Sequence, residues 1–170
     1  MNSKNALPAY FLGKPEEVCI VSPDIKKSMT GLIKLGIGPW KVYTFDPGTV
    51  SDQTYYGKPA KWALRVAFAK PDDLIWEIMQ PLWGPSIMAD FLESNGEGIQ
   101  HIAFDLDGLP WEERLAEFTR RGFPVAQSGV WAGKCRFAFY DTQAVTGMCF
   151  ESYLFDDDWV DPEPDYCFPE

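Results

Sequence analysis

The 170-residue sequence has little histidine, a shortage of positive charge and no long apolar run. His101 is its one histidine, and 15 Lys and Arg residues stand against 25 Asp and Glu residues, which gives a formal net charge of −10 at pH 7. Nucleic-acid binding relies on clustered basic side chains, and a membrane-spanning helix needs about 20 consecutive apolar residues. The composition therefore argues against a nucleic-acid partner and predicts a protein without membrane contact.

Cysteine is also sparse. Cys19, Cys135, Cys149 and Cys167 are scattered, without the CxxC spacing of a redox or zinc motif. The start of the sequence does not show the basic flank and apolar stretch of a secretory leader. We therefore expect reduced thiols and a cytoplasmic protein.

The order of predicted elements repeats once along the chain. A length of 170 residues suits a single domain over 1–170. Within it, a strand, a helix and three further strands are predicted over residues 16–82 and again over 98–155, joined by a connecting helix over 83–97. In the first module, the polar run after "KVYTF", rich in Gly, Asp and Tyr, is predicted to be a loop.

The last residues, 156–170, form an acidic tail with five Asp, two Glu and no Lys or Arg. Charge and proline favour a solvated terminal extension. The alternative is a tail that lies along the domain surface or a partner subunit, because Trp159, Tyr166 and Phe168 are costly to leave in water.

Four ionisable residues occupy equivalent places in the two modules. Glu17 and His101 start the leading strands "EVCIV" and "HIAFDL", and Glu77 and Glu151 lie inside the closing strands "IWEIMQ" and "CFESYL". Side chains alternate between the faces of a strand, so all four point away from the face under the helices. If the helix-free faces of the modules curve together, the four groups meet in one cup.

Three carboxylates in one apolar cup repel each other and lose hydration, at a cost of several kcal/mol. A divalent cation resolves both problems. Three carboxylate oxygens and one imidazole suit Mn²⁺, Mg²⁺ or Co²⁺, and His with Glu also permits Zn²⁺, Ni²⁺ or Fe²⁺. The alternative for each residue alone is structural, since a lone His is more often a satisfied core side chain and a single Glu in a strand usually faces solvent.

The sequence resembles the vicinal oxygen chelate superfamily, in its methylmalonyl-CoA epimerase and glyoxalase I-like branch. The resemblance covers about residues 16–155 and rests on the repeated order of elements and on "VSPDI", "GIGPW", "WEIMQPL", "GPSIMADFLESNGEGIQHIAF" and "FESY". "GEGIQHIAF" looks like the "GxGxHHxAF" segment of the epimerases, with Gln100 in place of the first His. The resemblance implies an α+β fold in which two βαβββ modules form one curved mixed sheet, a cup with helices on the outside.

The resemblance also implies a metal-dependent isomerase, epimerase or lyase. The enzyme would act next to a carbonyl of a small metabolite, through a metal-chelated enolate or enediolate. The family's metal ligands fall on Glu17, Glu77, His101 and Glu151. Glu17 matches neither the His of the epimerases nor the Gln of glyoxalase I at its position. By analogy with glyoxalase I, Glu151 is the first candidate for the catalytic base, with Glu17 or Glu77 second.

Substrate class is predicted from the residues near the cup. Seven aromatic residues lie on strands or loops that could reach it, which favours a flat, aromatic or apolar molecule: Trp40, Tyr43, Tyr55, Tyr56, Trp62, Trp83 and Trp131. A coenzyme A or glutathione ester would instead need basic residues at the mouth, and the candidates are Lys58, Lys61, Arg65, Lys134 and Arg136.

Three other functions stay open on this fold, as does a homodimer. A ligand-binding protein of the bleomycin-resistance type would need no metal. A metal-free isomerase would use His101 and a carboxylate directly as acid and base. A ring-cleaving dioxygenase needs two His and one carboxylate as iron ligands, and this sequence has a single His.

Overall fold

A curled β-sheet organises the protein. The structure, a computed structural model, describes residues 9–169. The strands are β1 (Pro15–Val21), β2 (Trp40–Phe45), β3 (Val50–Tyr55), β4 (Lys58–Pro59), β5 (Ala63–Ala69), β6 (Ile75–Trp83), β7 (Gly98–Phe104), β8 (Val125–Trp131), β9 (Cys135–Tyr140), β10 (Cys149–Phe155) and β11 (Tyr166–Phe168). The helices are α1 (Ile25–Ile33), α2 (Ile87–Asn95), α3 (Trp111–Arg120) and α4 (Gln143–Thr146). None of these helices is both long enough and apolar enough to cross a membrane.

The strands form one mixed sheet in the order β11-β2-β5-β6-β1-β7-β10-β9-β8-β3-β4. At its centre, β1 runs parallel to β6 and antiparallel to β7, and β7 runs parallel to β10. The sheet curls into a half-barrel. The predicted α+β fold, a cup built from one curved mixed sheet, is confirmed.

Two helices cover the outer face of the sheet. Helix α1 begins after Asp24, whose side chain accepts a hydrogen bond from the Lys27 amide, and it buries Ile25 and Met29 in an apolar layer against β2, β5 and β6. Helix α3 buries Phe118, whose ring stacks on Tyr140 of β9 at 3.5 Å. These layers occupy the outer face of the sheet, so its inner face is left to form a site.

A segment predicted to be a loop is strand β3, and the prediction is wrong there. Strand β3 pairs antiparallel with β8 of the other half of the chain, with Val50 opposite Trp131 and Tyr55 opposite Gln127. Asp52 takes a positive φ of 53° at a register shift between Ser51 and Thr54. The polar sequence hides the strand because one side of it faces solvent, and its hydrogen-bond partner lies more than 70 residues away.

The prediction of a solvated tail is also wrong, and the alternative, a tail along the domain surface, is observed. We call residues 156–168 the acidic segment. Its end forms β11, which pairs antiparallel with β2 so that Tyr166 is opposite Val42 and Phe168 opposite Trp40. Backbone pairing satisfies polar groups that a free tail would leave to water. The acidic segment is therefore part of the folded domain.

Candidate metal centre

The four candidate residues lie on four adjacent strands at the centre of the sheet, β6, β1, β7 and β10. Glu77 of β6 and His101 of β7 both pair in register with Cys19 of β1. One step further along the strands, Glu17 and Glu151 flank Ala103 from its two sides. Because Ala103 carries only a methyl group, the two carboxylates have room to lean together over it.

The structure brings all four side chains together. His101 Nε2 lies 3.1 Å from Glu77 Oε2, 3.1 Å from Glu151 Oε2 and 3.9 Å from Glu17 Oε1. One ligand atom from each of the four lies within 4.8 Å of the others, and all four residues are buried. We call Glu17, Glu77, His101 and Glu151 the four-residue cluster.

The imidazole is oriented by its neighbour in sequence. His101 Nδ1 lies 2.6 Å from Gln100 Oε1. An amide oxygen only accepts hydrogen bonds, so Nδ1 carries a proton and Nε2 faces the carboxylates. Gln100 and His101 are consecutive yet both fully buried, and a register shift between Cys19 and Ile20 of β1 accompanies this break in alternation. Sequence reasoning noted Gln100 only as a departure from a family motif and missed this role.

Burial and neighbouring charges shift the pKa values of Glu17, Glu151 and His101. Burial, then the charges of Glu77 and Glu151, raise the pKa of Glu17 well above its usual range. Burial also raises the pKa of Glu151. For His101, burial lowers the pKa, but the negative charges of Glu151 and Glu77 outweigh it and raise the pKa to about 9. The cluster therefore holds protons near neutral pH unless another positive charge replaces them.

A divalent cation fits these donors. The Nε2–H of a protonated His101 can point at one carboxylate only, and Glu77 Oε2 accepts it. With all three carboxylates ionised, Glu151 Oε2 is buried and has no hydrogen-bond partner in residues 9–169 other than that shared Nε2, 3.1 Å away. Such an orphaned oxygen is costly unless a cation or water satisfies it. Three buried carboxylates with one Nε2 thus supply an oxygen-rich first shell, and Gln100 supplies the outer hydrogen bond that metal-bound imidazoles usually have.

Cys19 lies beside this cluster. Its sulfur lies within 4.8 Å of ligand atoms of Glu77 and His101. Burial, then the charge of Glu77, raises the pKa of the Cys19 thiol well above its usual range, and its Sγ donates to the Ile20 carbonyl. Cys19 thus borders the four-residue cluster, next to Glu77 and His101.

The cluster opens into a cavity of about 550 Å³ on the inner face of the sheet. Glu17, Glu77 and Glu151 line its floor, whereas His101 lies behind them. Aromatic rings form its walls, and the larger ones are Tyr43, Phe45, Phe68, Trp131, Phe137, Phe139, Tyr153, Phe155 and Trp159. A polar floor below apolar walls suits a ligand with oxygen atoms at one end and a ring at the other.

The aromatic residues expected at the cup are only partly those observed. Tyr43 and Trp131 line the cavity. The other expected residues do not line it, namely Trp40, Tyr55, Tyr56, Trp62 and Trp83. Trp40 packs instead beneath α1, and Trp83 is 52 % exposed. Phe137 and Phe139 were missed, although they alternate along β9 in the sense that marks an inward face.

The basic residues expected at the mouth do not line the cavity either. These are Lys58, Lys61, Arg65, Lys134 and Arg136, whereas the cations that do line it are Lys41 and Lys70. Lys134 pairs with Asp158 at 2.8 Å, and Arg136 lies 3.9 Å from Asp156. Lys134 lies in the turn between β8 and β9 and Arg136 lies on β9, and both side chains are directed to the acidic segment instead of the cavity.

Comparison with known proteins agrees with this architecture. A family model described as the glyoxalase/bleomycin resistance protein/dioxygenase superfamily matches residues 16–139. No curated protein matches the sequence significantly.

Solved structures share the fold at low sequence identity. A hypothetical protein from Bacillus halodurans C-125 superposes with a TM-score of 0.64 and 21 % identity, covering 87 % of this chain and 98 % of its own. Methylmalonyl-CoA epimerase from Mycobacterium tuberculosis superposes with a TM-score of 0.58 and 16 % identity, over 89 % of this chain and 94 % of its own. A Streptomyces coelicolor methylmalonyl-CoA epimerase variant in complex with 2-nitronate-propionyl-CoA has a TM-score of 0.57 and 15 % identity, over 88 % and 99 %.

Proposed function

Because the chain belongs to the glyoxalase/bleomycin resistance protein/dioxygenase superfamily, we propose that it is a metal-dependent isomerase, epimerase or lyase acting on a small metabolite. One observation carries the proposal. Three buried carboxylates surround His101 Nε2 at the floor of an aromatic cavity, and Glu77 Oε2 and Glu151 Oε2, each 3.1 Å from Nε2, compete for that one donor. A purely structural cluster would gain nothing from such an arrangement.

Glu17, Glu77, His101 and Glu151 would hold the ion. A bound divalent ion supplies Lewis acidity, which lowers the energy of negative charge that develops on adjacent substrate oxygens next to a carbonyl. The chain's part is to fix the ligands. Gln100 keeps the proton on His101 Nδ1, and the β1–β7 and β7–β10 pairings keep Glu17 and Glu151 at the cavity floor.

Glu151 is the first candidate for the base that moves a proton next to the carbonyl. It lines the cavity, so it can reach a bound molecule. Burial raises its pKa, which favours a carboxylate that both takes and returns a proton near neutral pH. Glu17 lines the cavity too and is the second candidate. Glu77 lines the cavity as well and shares this second place.

The alternative of a metal-free isomerase that uses His101 directly has less support. His101 is fully buried and sits behind the carboxylates, so a ligand in the cavity would meet Glu17 or Glu151 first. The alternative of a binding protein without chemistry leaves three buried carboxylates and an orphaned oxygen without a purpose. We therefore propose a metal enzyme and favour a flat, apolar or aromatic substrate from the walls of the cavity.

Elemental analysis of the purified protein tests the metal. We expect about one equivalent of divalent metal per chain after reconstitution, and its loss in His101→Ala because that substitution removes the nitrogen ligand. Glu93→Gln is the matched control, since Glu93 lies exposed on α2 away from the cluster. Metal far below one equivalent in the wild-type protein, or full metal in His101→Ala, would contradict the proposal.

Proton abstraction is tested by exchange of solvent deuterium into a candidate carbonyl substrate. We expect Glu151→Gln to abolish exchange while keeping bound metal, because the amide cannot take a proton but its oxygen can still coordinate. Exchange that persists in Glu151→Gln but stops in Glu17→Gln would assign the base to Glu17 instead.

Location and assembly are proposals as well. A cytoplasmic site of action is supported by the four free thiols, Cys19, Cys135, Cys149 and the exposed Cys167, because a reducing compartment keeps thiols unpaired. A homodimer stays a prediction that multi-angle light scattering tests. A single chain already supplies all four residues of the cluster.

A further inference from the structure

The acidic segment is fixed across the mouth of the cavity at both of its ends. At one end, the Asp156 amide donates to the Lys134 carbonyl at 2.9 Å. At the other, the Asp165 amide donates to the Val42 carbonyl at 2.8 Å, just before β11 joins β2. The chain between these anchors must therefore follow the rim between β9 and β2.

Trp159 makes this segment a wall of the cavity. Its ring centroid lies 5.2 Å from that of Trp131 and 4.8 Å from that of Phe155, and all three rings line the cavity. Its Nε1–H donates to Asp161 Oδ1 at 3.0 Å, which fixes the orientation of the indole. The flat indole is thus held as a preformed surface for stacking.

The acidic segment also neutralises positive side chains at the rim of the cavity. Residues 156–168 contain six acidic residues and no Lys or Arg. They pair with Lys41 through Asp161 at 3.3 Å, with Lys134 through Asp158 at 2.8 Å and with Arg136 through Asp156 at 3.9 Å. Exposed pairs of this kind add little stability. Their effect is on the electrostatic potential at the mouth of the cavity, which is negative because the acidic residues outnumber the cations they pair with.

One cation is left at the cavity. Lys41 and Lys70 are the cationic residues that line it, and Lys70 forms no ion pair with any residue between 9 and 169. Coenzyme A carries a diphosphate and a further phosphate monoester, which need several positive partners. A single lysine beside a row of carboxylates does not supply them.

We propose that the acidic segment is a specificity element that admits an uncharged, flat aromatic substrate and excludes coenzyme A esters. Trp159 would stack on the ring with Trp131 at its side, and the carboxylates of the segment would repel an anionic tail. The inference rests on the proposed function only in directing the substrate's adjacent oxygens to the four-residue cluster. The aromatic wall is supported by the contacts of Trp159, and the charge filter is supported by the ion pairs of the acidic segment, whether or not a metal is bound.

Titration calorimetry on the full-length protein tests both parts, with 3-hydroxyflavone as the uncharged probe and acetyl-CoA as the anionic one. 3-Hydroxyflavone is flat and bears adjacent carbonyl and hydroxyl oxygens. We expect Trp159→Ala to weaken its binding about two- to twelvefold, because loss of an aromatic contact costs about 0.5–1.5 kcal/mol and 1.4 kcal/mol is tenfold in affinity. Trp83→Ala, which removes an exposed tryptophan outside the cavity, should bind like the wild type.

The charge filter is tested by the triple variant Asp156→Asn, Asp158→Asn, Asp161→Asn. Asn keeps an acceptor for Trp159 Nε1, so the wall stays in place while Lys41, Lys134 and Arg136 are released. We expect acetyl-CoA to bind at least about tenfold more tightly than to the wild type, and the gain to shrink as salt is added. The control with the same charge change, Glu93→Gln, Glu112→Gln, Glu113→Gln, should not gain.

The inference is overturned if acetyl-CoA binds the wild-type protein as tightly as 3-hydroxyflavone, or if Trp159→Ala behaves like Trp83→Ala. Its failure is distinct from failure of the proposed function. Repeating the titrations after chelator treatment with the metal content measured separates the two. Trp159-dependent binding of 3-hydroxyflavone by a protein that takes up no metal would refute the proposed metal enzyme but support the specificity element. Metal uptake without Trp159-dependent binding would refute the specificity element but support the metal enzyme.

Discussion

Metal binding to the four-residue cluster should release at least one proton, and its affinity should therefore rise steeply with pH. The charges of Glu151 and Glu77 outweigh the effect of burial and raise the pKa of His101 to about 9. A metal ion must displace that proton from Nε2. At pH 7 this costs about 3 kcal/mol, because each pH unit below the pKa costs about 1.4 kcal/mol. Affinity should increase about tenfold per pH unit between pH 6 and 8.

Calorimetry in two buffers of different ionisation enthalpy measures the released protons directly, alongside competition with a chelator at pH 6, 7 and 8. Glu17→Gln is the informative variant. This variant keeps His101, so its metal affinity should still rise about tenfold per pH unit. A steeper rise in the wild-type protein would then come from a second proton, released by Glu17 because its pKa is raised. A flat affinity over this range, with an enthalpy independent of buffer, would refute the reasoning about the cluster.

Three further outcomes follow from the structure. The pKa of His101 in the folded protein exceeds its unfolded value of about 6.5, so its contribution to stability is present below pH 6.5 and is lost as pH rises through about 9. The raised pKa values of Glu17 and Glu151 likewise make the folded state less stable as pH rises above about 4.5. The Tm of chelator-treated protein should therefore fall with rising pH, and a rise would contradict this. Gln100→Leu should weaken metal affinity about 10- to 100-fold through loss of the Nδ1 acceptor, with an unchanged far-UV spectrum; wild-type affinity would show that the acceptor is dispensable. Phe118→Ala should cost about 3–5 kcal/mol in urea unfolding, yet leave the metal content of the folded protein unchanged.

Sequence periodicity was sufficient to predict which side chains meet at the centre of the sheet. Glu17, Glu77, His101 and Glu151 were placed on one face because alternation along a strand is a local property, and the repeated order of elements put the four strands in equivalent positions. Regular pairing of β6, β1, β7 and β10 then turned that local property into a cluster. Whether these residues bind metal is a question that the pattern alone does not answer.

The edges of the molecule depend on contacts between distant parts of the chain, and periodicity does not report these. Strand β3 is polar on its outer side and obtains its hydrogen bonds from β8. The acidic segment looks solvated by composition, yet it pairs with β2. Gln100 is buried beside His101 only because the register shifts between β1 and β7, which strict alternation would forbid.

The pairing of β3 with β8 and of β2 with β11 has a consequence for the order of events during synthesis. Residues 40–55 leave the ribosome long before the strands that they will pair with, so β3 waits for β8 and one edge of β2 waits for β11. Strand β1 likewise waits for β7. Such long-range pairing slows folding and leaves nascent edges exposed. The edges of β2 and β3 thus become paired only after residues 166–168 and 125–131 have been made.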